Sequence, residues 1–222
     1  YKYDDFDKSG SSYTLKGNIP HYVSESNTQP GMPKYKDLNG DGIIDTNDRT
    51  MIGRGLPIHT GGFTNNFEYK GFDLSVFFQW SYGNDVLNAN RLFFDSGFQK
   101  KRELNQYASY TNRWTPGNPN SDIPAATNSS SNLVISSRVV EDASFLRLKT
   151  VTLGYTVPKT FLKKYKIDNA RLYVAAQNLW TITGYSGYDP EVSIRSGGLT
   201  PGLDFSSYPR ALSVSFGINL GF

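Results

Sequence analysis

A chain of 222 residues with a net charge of +3 and Cys 0 holds no disulfide and no thiolate site, and its mild charge gives no pointer to a nucleic-acid partner. Aromatic residues make up 14% of it, with Gly 21 and Pro 11, a mix that suits many strands and turns rather than a helical core. No apolar run approaches the ~18 residues of a membrane-spanning helix, which excludes a helical membrane protein but not a barrel, whose strands show lipid only alternate residues.

The chain opens at Tyr1 with neither Met nor a signal segment, as expected of a processed chain or a piece of a longer one. Residues 1–60 are rich in Asp, Asn, Gly, Ser and Pro, show little periodicity and read as a long ordered loop region. Its sharpest motif is DLNGDGIIDTND, Asp37 to Asp48. Oxygen donors at the spacing of a calcium loop are Asp37, Asn39, Asp41, Asp45 and Asp48. Gly42 stands where a sharp turn is needed, and Ile43 offers its backbone carbonyl. An oxygen-only set of this kind suits a structural calcium ion. Pro33 upstream and Gly53 and Gly55 downstream argue against the flanking helices of an EF-hand, and Asp48 replaces the usual bidentate Glu, which weakens binding. The alternative is a metal-free turn closed by side-chain to backbone bonds.

Strands are expected from about Gly62, and residues 61–222 read as barrel strands with their loops. FTNNFEYKGFDLSVFFQWSYG predicts a hairpin turning at Lys70-Gly71. In its second arm Phe72, Leu74, Val76, Phe78 and Trp80 alternate with Asp73, Ser75, Phe77, Gln79 and Ser81, which fits lipid on one side and water on the other. A long loop is expected from about Tyr82 to Ser144. SFLRLKTVTLGYTV is the next strand, with Val151, Leu153, Tyr155 and Val157 in phase. Arg147 and Lys149 share that lipid phase in an unbroken strand; a place at the outer rim, where both snorkel, is the expectation, and a phase-switching bulge is the alternative. PKTFLKKYKIDNA makes a short connection with room for one helical turn. ARLYVAAQNLWTI returns with Leu172, Val174, Ala176 and Trp180 toward lipid. A third long loop, about Thr183 to Arg210, leads to the last strand, ALSVSFGINLGF.

About five strands result, in a rhythm of short turn and long loop that fits an all-β, antiparallel outer-membrane barrel with long external loops. Trp80, Tyr82 and Trp180 mark the loop-side strand ends, and Tyr69, Tyr155 and Phe222 the turn-side ends, as two interfacial girdles require. A soluble β-sandwich also alternates, but it needs no rim aromatics.

No catalytic constellation is evident. His21 and His59 lie far apart, there is no Cys nucleophile, and no Ser sits in a strained Gly-x-Ser-x-Gly turn. Asp189 and Glu191 in YDPEV read as a solvated or loop-ordering pair, so an enzyme is not expected.

The segments KYKDLNGDGIIDTNDRTMIG, FDLSVFFQWSYGNDV, NRWTPGNPNSDIP, SSRVVEDASFLRLKTVTLGYTVPK and LYVAAQNLWTITGYSGYDPEV, followed by the terminal strand, occur here in an order that resembles the C-terminal portion of SusC/RagA-type TonB-dependent outer-membrane transporters. The resemblance covers nearly the whole chain. It implies part of a 22-stranded barrel whose N-terminal plug and earlier strands are absent here, nutrient import of oligosaccharides or peptides, and a cell outer membrane location. Implied partners are a SusD-like surface lipoprotein lid, the TonB complex through the absent N-terminal part, the remainder of the same barrel, outer-membrane lipid and the barrel assembly machinery. On this reading Asp73, Gln79, Arg171, Tyr173 and Gln177 are substrate or lumen contacts, and Ser215, Gly217, Leu220 and Phe222 form the assembly signal. Rival readings are a calcium-dependent surface adhesin or binding module without transport, and a passive porin.

Overall fold

The computed structural model describes residues 1–9, 12–24, 27–97, 105–127, 133–193 and 201–222. Two compact units emerge, residues 1–52 with 88–140, and residues 53–87 with 141–222.

The first unit is not strand-free, although its sequence shows no alternation. Phe6–Ser9 (β1) and Ser12–Leu15 (β2) form a small antiparallel hairpin, with Phe6 opposite Leu15. Strands this short carry too few residues to display a period, so aromatic packing has to locate them. Phe6 is buried against the edge of Tyr1, and Tyr1 in turn meets the edge of Tyr22, which meets Tyr35. Edge-to-face pairs of this kind add about 0.5–1.5 kcal/mol each beyond the area they bury. Ala89–Phe94 (α1) begins at Asn88, whose side chain accepts the Arg91 N–H as an N-cap, and buries Ala89, Asn90 and Leu92. The stretch expected as a long loop from about Tyr82 to Ser144 therefore contains a helix.

In the second unit the chain alternates with period two and forms long strands: His59–Tyr69 (β3), Phe72–Tyr82 (β4), Phe145–Thr156 (β7), Asn169–Thr183 (β8) and Ser213–Gly221 (β10). Between them lie the short strands Asp85–Asn88 (β5), Val140–Asp142 (β6) and Leu203–Asp204 (β9). The long strands make one antiparallel sheet in the order β10-β8-β7-β4-β3, and the short ones a second in the order β6-β5-β9. Lys70 and Gly71, with φ of 48° and 87°, make the two-residue turn that the right-handed twist of paired strands favours. The connection between β7 and β8 holds one helical turn, Lys159–Leu162 (α2), which continues into a tighter turn ending at Lys166 in the left-handed region. His59, expected in a loop, opens β3 and stacks on Tyr82.

Registers align the apolar phase of every strand. Tyr69, Phe67 and Phe63 stand opposite Phe72, Leu74 and Phe78; Leu74 and Val76 stand opposite Leu153 and Val151; and those stand opposite Val174 and Ala176. Val214, Phe216, Ile218 and Leu220 complete the face on β10. None of these side chains is buried: Phe63, Phe67, Tyr69, Phe72, Leu153 and the four on β10 are exposed, Phe216 at 82%, while Leu74, Val76, Phe78, Val151, Val174 and Ala176 are half-buried by their neighbours on the face. The buried core of this unit is small and lies at the loop side, where Val86, Ala143 and Tyr185 cluster. A sheet whose apolar face is open and whose core is slight is built to be covered by something apolar.

Arg147 and Lys149 do not follow the rim expectation. Leu148 pairs with Phe78 and Trp180, and Thr150 pairs with Phe77 and Gln177, so Lys149 is an extra residue, matched on β8 by Asn178 and Leu179. One extra residue moves the phase by one: Leu146 and Leu148 join the apolar face before the bulge, and Val151 and Leu153 after it. Arg147 is thereby carried to the opposite, polar face, where its side chain is 3% exposed.

Candidate functional site on the polar face of the sheet

The register gathers all five sequence-predicted contact residues on one face. Asp73 stands opposite Gly154, which stands opposite Tyr173. Gln79 is opposite Arg147, Arg171 opposite Thr156, and Gln177 opposite Thr150. They fall into two groups along the strands.

Toward the short turns, Arg171 on β8 reaches diagonally across β7 to Asp73 on β4, its Nε donating to Asp73 Oδ1 at 3.0 Å and its Nη2 to Asp73 Oδ2. The strand between them has to be bare for this to happen. Gly154 is the residue crossed, and a Cβ there would overlap both Arg171 Nη2 and the Asp73 carboxylate. Tyr173 lies with its ring across Gly217 of β10 in the same way. Asp73 and Arg171 also border an open groove of about 540 Å³ with Glu68, Lys70 and Thr156.

Toward the long loops lies a larger charge network that joins Asp189 and Glu191, expected as a solvated or loop-ordering pair, to Arg147 and Lys149, expected to snorkel at the outer rim unless a bulge switched their phase; that the four meet was not expected. Arg147 donates through Nε to Thr181 Oγ1 at 2.9 Å, through Nη1 to Glu191 at 2.9 Å and through Nη2 to Asp189 at 2.5 Å. Glu191 also accepts from Lys149 Nζ at 3.0 Å and from Gln79 Nε2 at 3.4 Å, and it pairs with Arg210 Nε at 3.0 Å. Asp189, 3% exposed, accepts the backbone N–H groups of Glu191 and Arg210, each at 3.0 Å. Burial pushes the Asp189 carboxyl up, but the Arg147 guanidinium and those two N–H groups outweigh it and hold the pKa below the usual carboxylate range. The network fastens the segment after β8 and the residue leading toward β10 onto the sheet. A signal for it existed in the sequence: a charged pair inside a strand otherwise in phase with lipid demands a bulge, and a bulge aims both charges at the polar side.

In the first unit, the acidic loop closes on its own backbone. Asp37 accepts the N–H groups of Gly40 at 2.7 Å and Gly42 at 2.9 Å, Asn39 accepts that of Asp41, and Asp41 that of Ile43. Asp45 accepts the Asn47 N–H, and Asp48 accepts those of Leu38 and Asp45. The Asp45 and Leu38 N–H groups hold the Asp48 carboxyl below its usual range. Gly42 sits at φ +84°, which a side chain at that tight corner would oppose. His21 pins the loop from outside, donating its N–H to the Gly42 carbonyl and accepting the Ile44 N–H. The donor set retains the hard-oxygen chemistry of a calcium site, yet among the described residues no three or more carboxylates or histidines are gathered as for a metal.

Of the four terminal-strand residues, Ser215 and Gly217 lie on the polar phase opposite Ala175 and Tyr173, and Leu220 on the apolar phase opposite Ala170. Phe222 follows the strand, 85% exposed.

Comparison with known proteins places this geometry. No protein-family model matches the chain. Among characterised proteins it is similar to the TonB-dependent receptor P3 of Formosa agariphila, 38% identical over 213 residues, covering 93% of this chain and 21% of that protein. It is similar also to the TonB-dependent receptor SusC of Bacteroides thetaiotaomicron, 29% identical over 201 residues, covering 90% of this chain and 18% of that one. Among solved structures it aligns with the RagAB peptide transporter at a TM-score of 0.64 and 32% identity, covering 75% of this chain and 17% of the other. In the closed-closed state of the RagAB peptide importer the TM-score is 0.69 at 30% identity, with 86% and 20% covered. The chain thus spans about one fifth of the length of the relatives it matches. Sequence and sheet together match the chain to one segment of SusC/RagA-type TonB-dependent receptors.

Proposed function

We propose that this chain forms the C-terminal wall strands of a 22-stranded outer-membrane barrel that imports nutrients in a TonB-dependent manner, and that it is a transport component rather than an enzyme. The observation that carries the reading is the two-sided sheet, one face apolar and left unburied across five strands, the other polar and cross-linked by ion pairs. Aromatic residues at both strand ends, Trp80 and Trp180 on one side and Tyr69 and Phe222 on the other, support it. A five-stranded sheet in lipid leaves the outer edges of β3 and β10 unpaired, which the hydrocarbon core does not tolerate, so the remaining strands of the barrel are required partners. Oligosaccharides and peptides are the solutes proposed; the relatives are TonB-dependent receptors, and the solved neighbours are described as a peptide transporter and importer.

In this reading solute is captured between the loop side and a SusD-like lipoprotein, and force from the TonB complex acts through the plug. Asp73, Gln79, Arg171, Tyr173 and Gln177 line the passage. Ser215, Gly217, Leu220 and Phe222 present the terminal strand to the assembly machinery. Calcium braces the acidic loop through Asp37, Asn39, Asp41, Asp45, Asp48 and the Ile43 carbonyl; a carboxylate oxygen that accepts an N–H keeps a lone pair for a hard cation. The test is accumulation of labelled oligosaccharide and oligopeptide pools by cells carrying the full-length protein. Uptake that collapses with a protonophore and on loss of TonB is expected. Uptake that persists identifies a passive pore, and surface binding without accumulation identifies an adhesin; either overturns the proposal.

A further inference from the structure

The loop-side network is one anion short. Among the described residues, Arg147, Lys149 and Arg210 meet only Asp189 and Glu191. Arg147 and Asp189 are both buried and neutralise each other. Glu191 is then shared between Lys149 and Arg210, which leaves a net positive charge on the more accessible half of the cluster. A half-buried cation without its full complement of negative charge is costly, so an added anion is favoured there.

Geometry says where that anion goes. Exposure rises outward through the cluster, from Arg147 at 3% to Lys149 at 21% and Arg210 at 48%. Among the described residues, the carboxylate that Arg210 meets is Glu191, reached through Nε; that leaves the Nη groups of its guanidinium fork for another oxyanion, and an Arg fork matches a carboxylate with two parallel bonds. Lys149 stands beside it because the bulge turns it to the polar side, and both cations are aimed by the same carboxylate.

We propose that Lys149 and Arg210, oriented by Glu191, form a seat for one carboxylate group of a small solute, such as that of a hexuronate. The seat takes a single acid group and gives no hold on a neutral analogue of the same shape. This goes beyond the import reading and stands without it, since it rests on the charges and geometry of the cluster alone.

The test is hydrogen exchange of the detergent-solubilised full-length protein across residues 184–193, with glucuronate as the probe and glucose as its neutral counterpart, at matched ionic strength. Glucuronate is expected to slow exchange about tenfold at ten times its half-saturating concentration, while glucose leaves it unchanged. The double variant K149Q/R210Q is expected to respond to glucuronate no more than to glucose. The single variant R210Q, in which Lys149 still holds Glu191, loses most of the response. K164Q, which removes an exposed cation on the connection between β7 and β8, outside the seat and the passage, responds as the parent does. An equal response to both sugars, a full response in R210Q, or a lost response in K164Q overturns the proposal.

Discussion

Two residues show how much the polar face depends on what a single side chain does. Gly154 carries no chemistry, yet the Asp73–Arg171 pair exists because nothing stands above the strand it crosses. The atoms that a Cβ would meet are flexible side-chain ends, so Gly154→Ala is expected to separate the pair at little cost in stability. A double-mutant cycle of Asp73→Asn and Arg171→Gln should return a small favourable coupling in the parent and none in the G154A background; an unchanged coupling would show that the pair does not need the gap. Arg147 is the opposite case, a buried cation on which two carboxylates depend. Breaking such a pair by removing one partner costs about 3–5 kcal/mol, so Arg147→Gln is expected to release the segment around Asp189, read as lost exchange protection over residues 184–193. The pH dependence follows from the lowered pKa of Asp189. Its contribution is fully present above the unfolded value of about 3.9 and disappears as pH falls through the folded value. Protection of that segment should hold from pH 7 to about 5 and decline below about 4, and a decline already complete at pH 6 would contradict the assignment. Sequence alone could place Asp189 and Glu191 two apart; it could not show that Arg147, some forty positions earlier, is their partner, because strand register decides that.

At the scale of elements, legibility tracks periodicity. The hairpin of β3 and β4, the apolar phases of β8 and β10 and the Lys70-Gly71 turn were all readable, since each strand repeats its alternation enough times to be recognised. β7 was readable only in its second half. Its bulge at Lys149 leaves no mark except the misplaced charges, and treating the strand as regular put them on the lipid phase at the outer rim, with the bulge only as the alternative. The short strands β1, β2, β5, β6 and β9 and the helix α1 were not legible, because elements of two to six residues are fixed by tertiary packing rather than by local pattern. The acidic loop was legible as a motif but not as to its occupant. In the structure its carboxylates accept backbone N–H groups, an arrangement that serves a bare turn and leaves lone pairs for an ion. Replacing Asp41 and Asp45 together by Ala is expected to raise the protease sensitivity of the loop without abolishing membrane insertion, and chelation of the parent should do the same. Protease sensitivity that chelator leaves untouched would remove calcium from the account.

At the scale of the whole molecule, the two faces of the sheet decide what the segment is. A soluble domain would bury Val214, Phe216, Ile218 and Leu220, whereas here they stand exposed on the face continuous with Phe63, Phe67 and Leu153. The opposite face carries Ser213, Ser215, Gly217 and Asn219 on the same strand, beside Arg171, Tyr173 and Gln177 on the next. The composition concealed this, because a strand that alternates averages to a polar sequence. The most direct measurement is a cysteine scan of residues 213–220 in the full-length protein in its membrane, taking advantage of the absence of native cysteine in this segment. Reactivity toward a water-soluble maleimide should alternate, with Ser213, Ser215, Gly217 and Asn219 labelled and Val214, Phe216, Ile218 and Leu220 protected. Uniform labelling along the strand, or protection of the serine phase, would contradict the account.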